Sequence, residues 1–90
     1  MKIRQVITAA LVVLTAAGLA GAESAATLLE QGIYAEQTRG DLNEAMRIYQ
    51  TIVDDAEASR PYASEALYRL GACRLRLGDA RTASETFATL

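Results

Sequence analysis

The chain contains no histidine and only one cysteine, Cys73. The absence of histidine removes the side chain that most often serves as a general base or metal ligand near neutral pH. A single cysteine can form neither an internal disulfide nor a zinc site built from cysteine pairs. We therefore predict a fold held together by packing alone. In such a fold Cys73 is a small buried apolar thiol, with an intermolecular disulfide as the alternative.

The sequence also lacks the short motifs of common catalytic and cofactor sites. It has no phosphate-binding loop, no dinucleotide-binding G-x-G-x-x-G and no nucleophile elbow G-x-S-x-G. The pair Asp54-Asp55 lacks the alternating acidic positions and the twelfth-position glutamate of a calcium loop, so we expect solvated charge at a helix end. The sequence predicts no enzyme activity, no cofactor and no metal site.

Basic residues are scarce after the N-terminus. Residues 23–90 contain seven arginines, no lysine and eleven acidic residues, which leaves an excess of four negative charges. Nonspecific binding of nucleic acid requires a basic surface that releases counterions. The composition therefore disfavours nucleic acid as a partner.

Residues 1–22 have the features of a secretory signal peptide. Lys2 and Arg4 give a positive start, an uncharged stretch rich in alanine, valine and leucine follows, and Ala20-Gly21-Ala22 supplies the small residues of a cleavage site. An uncleaved anchor is the alternative, although residues 6–22 only reach the lower limit of about 17 residues for a spanning helix. We predict cleavage after Ala22, no stable membrane span afterwards, and a periplasmic or secreted mature chain.

The mature chain, residues 23–90, shows helical periodicity and no pattern typical of strands. Apolar residues at steps of three and four predict helices over about 24–38, from 42 to a fading end at 54–58, over 62–77, and from 80 onward. Gly40 is expected to end the first helix in a left-handed conformation. Asp41 is expected to cap the second helix, with Glu44 completing a capping box. Because the connections are short, neighbouring helices must be antiparallel, so the fold class is all-α.

A repeat relates the two halves of the mature chain. The segment 40–45 recurs as the segment 78–83, and the ungapped alignment of 29–52 with 67–90 keeps four identities. These fall where a helical hairpin needs an apolar anchor, a turn glycine, a cap and a small contact residue. A fixed period of about 20–50 residues is typical of stacked supersecondary units. We therefore predict antiparallel helical hairpins stacked as a short solenoid, with Tyr49 and Phe87 between the paired helices.

These motifs resemble the tetratricopeptide repeat. The second copy contains Leu67-x-x-Leu70-Gly71 and Leu77-Gly78-Asp79-x-x-x-Ala83-x-x-x-Phe87, and the first contains Leu29 and Gly40-Asp41-Leu42-x-x-Ala45-x-x-x-Tyr49-x-x-Ile52. Two features depart from the family pattern. Gly32-Ile33 is out of register with the family's Leu-Gly pair, and Glu36 and Arg74 replace its first-helix tyrosine. The resemblance implies repeat copies over about 27–60 and 65–90, the second incomplete, in a fragment of a longer repeat protein.

The resemblance implies a protein-binding scaffold, similar to periplasmic members that assist envelope assembly or cell division. In this family the first helix of each hairpin lines the concave face. By position, that face carries the candidate partner-binding residues Tyr34, Gln37, Tyr68, Arg69, Ala72 and Arg76. Arg69 and Arg76 share one side of a helix, where planar guanidinium groups suit a carboxylate or an extended peptide. The alternative is a solvated face with arginine stems lying over apolar surface.

A structural role is the rival prediction. The repeat would then serve oligomerisation or spacing in a larger protein whose activity lies beyond residue 90. We expect residues 23–90 to be marginally stable alone, because about three repeats are usually needed for stability. Phe87 and Leu90 would be left uncovered by the last helix, so self-association through the C-terminal hairpin or further repeats would complete the fold.

Overall fold

In the computed structural model, residues 23–90 are described, and they form four α-helices; the predicted signal peptide lies outside these residues. The helices are α1, Ala25–Gln37; α2, Leu42–Asp54; α3, Arg60–Arg76; and α4, Ala80–Ala88. No strand occurs within 23–90, so the all-α prediction is confirmed. None of the four helices is both long enough and apolar enough to cross a membrane.

Three of the four helices begin with a side-chain cap, supplied by Ser24, Asp41 and Asp79. Each side-chain oxygen accepts a hydrogen bond from the amide three residues further on, at 3.0 to 3.3 Å. These bonds satisfy amides that have no partner in the first turn of a helix. α3 begins without such a bond and has Pro61 in its first turn, where the missing N–H of proline removes no helical hydrogen bond. α3 therefore begins slightly earlier than the sequence predicts.

Glu44 does not complete the predicted capping box. Its carboxylate accepts hydrogen bonds from the Arg47 guanidinium, from Nη2 at 2.6 Å and from Nε at 3.0 Å. The amide of Asp41 instead donates to the carbonyl of Ala35 at 2.8 Å. Because the end of α1 already satisfies this amide, Glu44 pairs with the arginine one turn later. The Asp41 cap is confirmed, and the reciprocal half of the capping box is wrong.

The two hairpin turns both depend on glycine. Gly40 has a φ of +65° and Gly78 a φ of +84°, in the left-handed region that glycine adopts without steric cost. Residues 38–41 join α1 to α2, whereas only residues 77–79 join α3 to α4. The first connection is therefore one residue longer than the second.

This extra residue changes the alignment of the two first helices. Gly32 lies under the ring of Tyr49, and Gly71 lies under the ring of Phe87. The step along the chain from Gly32 to Gly71 is one position longer than the step from Tyr49 to Phe87. Gly32 therefore has the structural role of Gly71, although the ungapped alignment places it out of register. The offset between the hairpins is thus one position larger in their first helices than in their second helices.

The core lies where α1, α2 and α3 meet. α2 packs between the two neighbouring helices, and α1 also contacts α3 directly. The buried cluster consists of Ala35, Ala45, Tyr49, Ile52, Ala66, Leu70 and Cys73. Three of these are alanines, whose small side chains allow the helices to approach closely. Cys73 is buried, as predicted.

Two apolar side chains lie in different environments from those predicted. Leu77, expected on the apolar side of the third helix, is the C-cap residue and is exposed. Phe87, expected to be uncovered, is half-buried because its ring lies over Gly71 and beside Tyr68. Leu90 is exposed, as predicted. The apolar end of the C-terminal hairpin is therefore smaller than the sequence suggests.

Candidate functional site

Glu36 is the centre of a charged cluster built from three helices. Its Oε1 accepts a hydrogen bond from the Tyr49 hydroxyl at 2.7 Å. Arg69 Nη1 lies 3.7 Å from the same oxygen, and Arg76 Nη1 donates to Oε2 at 3.4 Å. The Glu36 side chain is only 11% exposed. A single carboxylate from α1 thus connects the aromatic core of α2 with two arginines of α3.

The two arginines differ in how fully their donors are engaged. Arg69 Nε also donates to Glu65 Oε2 at 2.8 Å, and its side chain is 24% exposed. The Arg76 side chain is 55% exposed, and its contact with Glu36 is its one ion pair within residues 23–90. A strong charge-assisted N–H to O⁻ bond is about 2.7–2.9 Å long, so this contact is weak. Most of the five guanidinium donors of Arg76 remain available to solvent or to a ligand.

The surroundings keep Tyr49 and Cys73 protonated. Burial, followed by the hydrogen bond to Glu36, raises the pKa of Tyr49 well above its ordinary range. Burial and then the charge of Glu36 raise the pKa of Cys73 to about 11. At neutral pH the Tyr49 hydroxyl is therefore a hydrogen-bond donor and Cys73 a neutral thiol. A neutral buried thiol is a poor nucleophile and a poor metal ligand.

The structure brings Arg69 and Arg76 together on one side of α3, as predicted, and directs both at Glu36. Tyr34 is 57% exposed and lines a groove between α1 and α2. Residues two apart lie on nearly opposite sides of a helix, so Tyr34 lies away from Glu36. Tyr68 is equally exposed, with its ring centroid 6.1 Å from that of Phe87. Tyr68 therefore lies on the same helix as the arginines, whereas Tyr34 faces away from them, and the two tyrosines do not share a pocket with the arginines.

The remaining predicted residues play smaller parts. Gln37 is exposed at the end of α1, and Ala72 is half-buried in α3. Ala72 lies between Arg69 and Arg76 in sequence, so it separates them by a short side chain. Neither residue contributes a charge or a strong hydrogen-bonding group to the cluster around Glu36. Gln37 lies on α1 and Ala72 on α3, the two helices that carry Glu36 and the arginines.

In the sequence, Glu36 stands out only as a departure from the tyrosine of the family pattern. The structure shows that both departures enter polar networks between helices. Arg74 Nη1 donates to the hydroxyl of the buried Thr86, which itself donates to the Thr82 carbonyl at 2.7 Å. An acidic or basic side chain at an inward position needs a polar partner, because burying an unpaired charge is costly. A charged residue at an inward-facing helix position is therefore the sequence signal that could have identified Glu36 as the centre of a polar cluster.

The comparisons with known proteins give one match. Residues 65–90, which cover most of α3 and all of α4, match the family model of the tetratricopeptide repeat. The comparison with curated proteins and the comparison with solved structures gave no match. The family match supports the resemblance for the second hairpin, and the shared glycine-under-ring packing relates the first hairpin to it. A helical repeat of this type suggests a scaffold for protein–protein interaction.

Proposed function

We propose that the chain is an exported helical-repeat scaffold that binds protein partners through the face formed by α1 and α3. One observation carries this proposal: Tyr68 and Arg76 are each more than half exposed on α3, which lies beside α1. Tyrosine and arginine are enriched among the residues that contribute most to protein–protein binding. A large aromatic side chain that stays exposed is thus available for a partner. The proposed activity is binding, without catalysis.

A pull-down from cell-envelope extract tests this face. The double variant Tyr68→Ala/Arg76→Ala removes two exposed side chains of α3. We expect it to lose partners that the wild-type chain captures. The matched control is Arg60→Ala/Tyr62→Ala, which removes the same residue types from the first turn of α3. Equal recovery of every partner by the wild type and by the Tyr68/Arg76 variant would contradict the proposed face.

We further propose that this binding takes place outside the cytoplasm, in envelope assembly or cell division. The basis is the resemblance of residues 1–22 to a signal peptide, together with the resemblance to periplasmic repeat proteins. N-terminal sequencing of the protein from the cell envelope should find Glu23 as the first residue. A product that retains residues 1–22 would mean that they anchor the protein in the membrane.

A structural role is the second candidate, and it has its own observation. Leu75 and Leu90 are both more than half exposed on the C-terminal hairpin. In the ungapped alignment of the two second helices, Leu90 corresponds to Ile52, which is fully buried. Because Leu90 is exposed where Ile52 is buried, a second copy of the chain that covers Leu90 would remove apolar surface from water, and this favours self-association. The oligomeric state in solution separates this role from partner binding by the free monomer.

A further inference from the structure

The arginine pair Arg69 and Arg76 already holds a carboxylate, and that carboxylate belongs to the same chain. Glu36 reaches across from the other hairpin, with 3.7 Å to Arg69 and 3.4 Å to Arg76. We propose that Glu36 is an internal pseudo-ligand that competes with an acidic segment of a partner protein for these two arginines. The proposal rests on the proposed function, because it concerns how the α1–α3 face is regulated.

The cluster is electrically balanced, so an acidic ligand can bind the arginines only by replacing Glu36. The positive charges of Arg69 and Arg76 are matched by the negative charges of Glu36 and Glu65, both in ion pairs. A further carboxylate added to this neutral cluster would meet the charge of the nearly buried Glu36, which solvent screens poorly. An acidic ligand therefore gains the full attraction of the arginines only when the arginines turn away from Glu36.

The contact distances show which interactions can be exchanged. The contacts of Glu36 with the arginines are long, whereas Arg69 binds Glu65 at 2.8 Å and the Tyr49 hydroxyl binds Glu36 at 2.7 Å. Tyr49 can thus keep one oxygen of Glu36 while the arginines turn to a ligand. Arg76 is the more exposed of the two and is the first that a ligand would reach.

The ion pairs of Glu36 are also contacts between the two hairpins. Within residues 23–90, the other ion pairs join residues at most four apart in sequence, whereas those of Glu36 join the two hairpins. A ligand that takes the arginines from Glu36 removes the charged contact between α1 and α3. Partner binding is therefore coupled to the packing of one hairpin against the next. Glu36 supplies this charged contact between the hairpins when no acidic partner is present.

The variant Glu36→Gln tests the competition directly. Its amide can still accept the hydrogen bond from Tyr49, but it carries no charge to hold the arginines. The probe is a fluorescein-labelled oligoglutamate peptide, and its binding to the full chain is measured by fluorescence anisotropy at low ionic strength. We expect Glu36→Gln to bind the probe about tenfold more tightly than the wild type, as expected for freed charge-assisted bonds. Adding Arg76→Gln should abolish this gain.

The matched control is Glu85→Gln, which makes the same change in net charge at the exposed pair with Arg81. If Glu36→Gln is folded and binds the probe no more tightly than this control, the proposal is wrong. Should Glu36→Gln fail to fold, acetate titration of the wild type decides the matter by NMR of the arginine Nε–H groups. Larger shifts at Arg69 and Arg76 than at Arg47 and Arg81 support exchange, and equal shifts overturn it.

Failure of this proposal is distinguishable from failure of the proposed function. The pull-down asks whether natural partners need Tyr68 and Arg76. The anisotropy experiment asks whether Glu36 blocks the arginines, and it uses a defined probe in place of a partner. Equal partner capture by the Tyr68/Arg76 variant counts against the binding face, whereas unchanged probe binding by Glu36→Gln counts against the pseudo-ligand alone.

Discussion

Gly32 and Gly71 determine how closely the two helices of each hairpin approach. A Cβ added at Gly32 would lie 2.5 Å from Tyr49 Cε1, and one added at Gly71 would lie 2.5 Å from Phe87 Cε1. The two aromatic rings differ in their freedom to move. Tyr49 is fully buried and bound to Glu36, whereas Phe87 is half-buried near the end of the last helix. The same added methyl group should therefore have different effects at the two positions.

We predict that Gly32→Ala is more destabilising than Gly71→Ala. Overpacking a core typically costs about 1–3 kcal/mol, and replacing glycine by alanine inside a helix recovers about 1 kcal/mol. With the Tyr49 ring fixed, Gly32→Ala should lower the free energy of unfolding by about 2 kcal/mol. Because the Phe87 ring can shift, Gly71→Ala should lie within about 1 kcal/mol of the wild type. Urea unfolding followed by circular dichroism measures both, and a reversed order would refute the argument.

The raised pKa values of Tyr49 and Cys73 make stability fall in alkali. Cys73 has a pKa of about 11 in the fold against an ordinary value of 9.0, and burial raises the pKa of Tyr49 above its ordinary value of 10.0. Both groups lose a proton more easily when unfolded. Their contribution is therefore fully present below about pH 9 and is lost as the pH rises toward their folded pKa values.

We expect the free energy of unfolding to decrease above about pH 9, with each group adding up to about 1.4 kcal/mol per pH unit to the slope. Tyr49→Phe and Cys73→Ala should each flatten the decrease, because each removes one titrating group. Thermal unfolding at a series of pH values gives the measurement. A profile that is flat to pH 11 in the wild type would contradict the prediction.

Helix boundaries could be predicted from the sequence because local chemistry sets them. A glycine that must adopt a positive φ and an aspartate that caps the next amide mark each turn, whatever the helices pack against. The register of α1 could not be predicted in the same way. It depends on one extra residue in the connection 38–41, which an ungapped comparison with 77–79 does not accommodate. Because of this one-residue shift, the ungapped alignment does not pair Gly32 with Gly71, although both lie under an aromatic ring.

The candidate site was predicted in part for a related reason. The spacing of Arg69 and Arg76 places both on one side of α3, and helical geometry alone fixes that. Their partner Glu36 belongs to a different hairpin and is distant from both in sequence. The pairing of Glu36 with the arginines depends on which helix packs beside α1 and on the register of the two helices along their axes. Only the packed structure supplies this information.

At the level of the turns, we predict similar costs for Gly40→Ala and Gly78→Ala. Neither glycine has a neighbour within 4 Å of an added Cβ, so the cost comes from the backbone alone. A residue with a side chain in the left-handed region costs about 1–2 kcal/mol. Asparagine, which tolerates this region better, should recover part of the loss at either turn. Urea unfolding of the four single variants tests this, and a cost confined to one turn would show that contacts contribute.

For the whole molecule, we expect the exposed apolar side chains of the C-terminal hairpin to determine the behaviour in solution. Tyr68, Leu75 and Leu90 are each more than half exposed on this hairpin. The first hairpin shows what covers such a surface: Ile52, the counterpart of Leu90, is fully buried in the core that α3 completes. Repeat stability is roughly the sum of unit and interface terms, and within residues 23–90 no helix covers Leu90 as α3 covers Ile52.

We therefore predict that the chain self-associates through the C-terminal hairpin. Sedimentation velocity should show a sedimentation coefficient that rises with protein concentration, because association removes the exposed leucines from water. Leu75→Glu/Leu90→Glu should lower that dependence. Leu77→Glu is the matched control, since Leu77 is similarly exposed but lines a groove against α2, and it should associate like the wild type. A chain that stays monomeric and unfolds cooperatively well above about 65 °C, the usual upper limit for mesophilic domains, would show that two hairpins suffice.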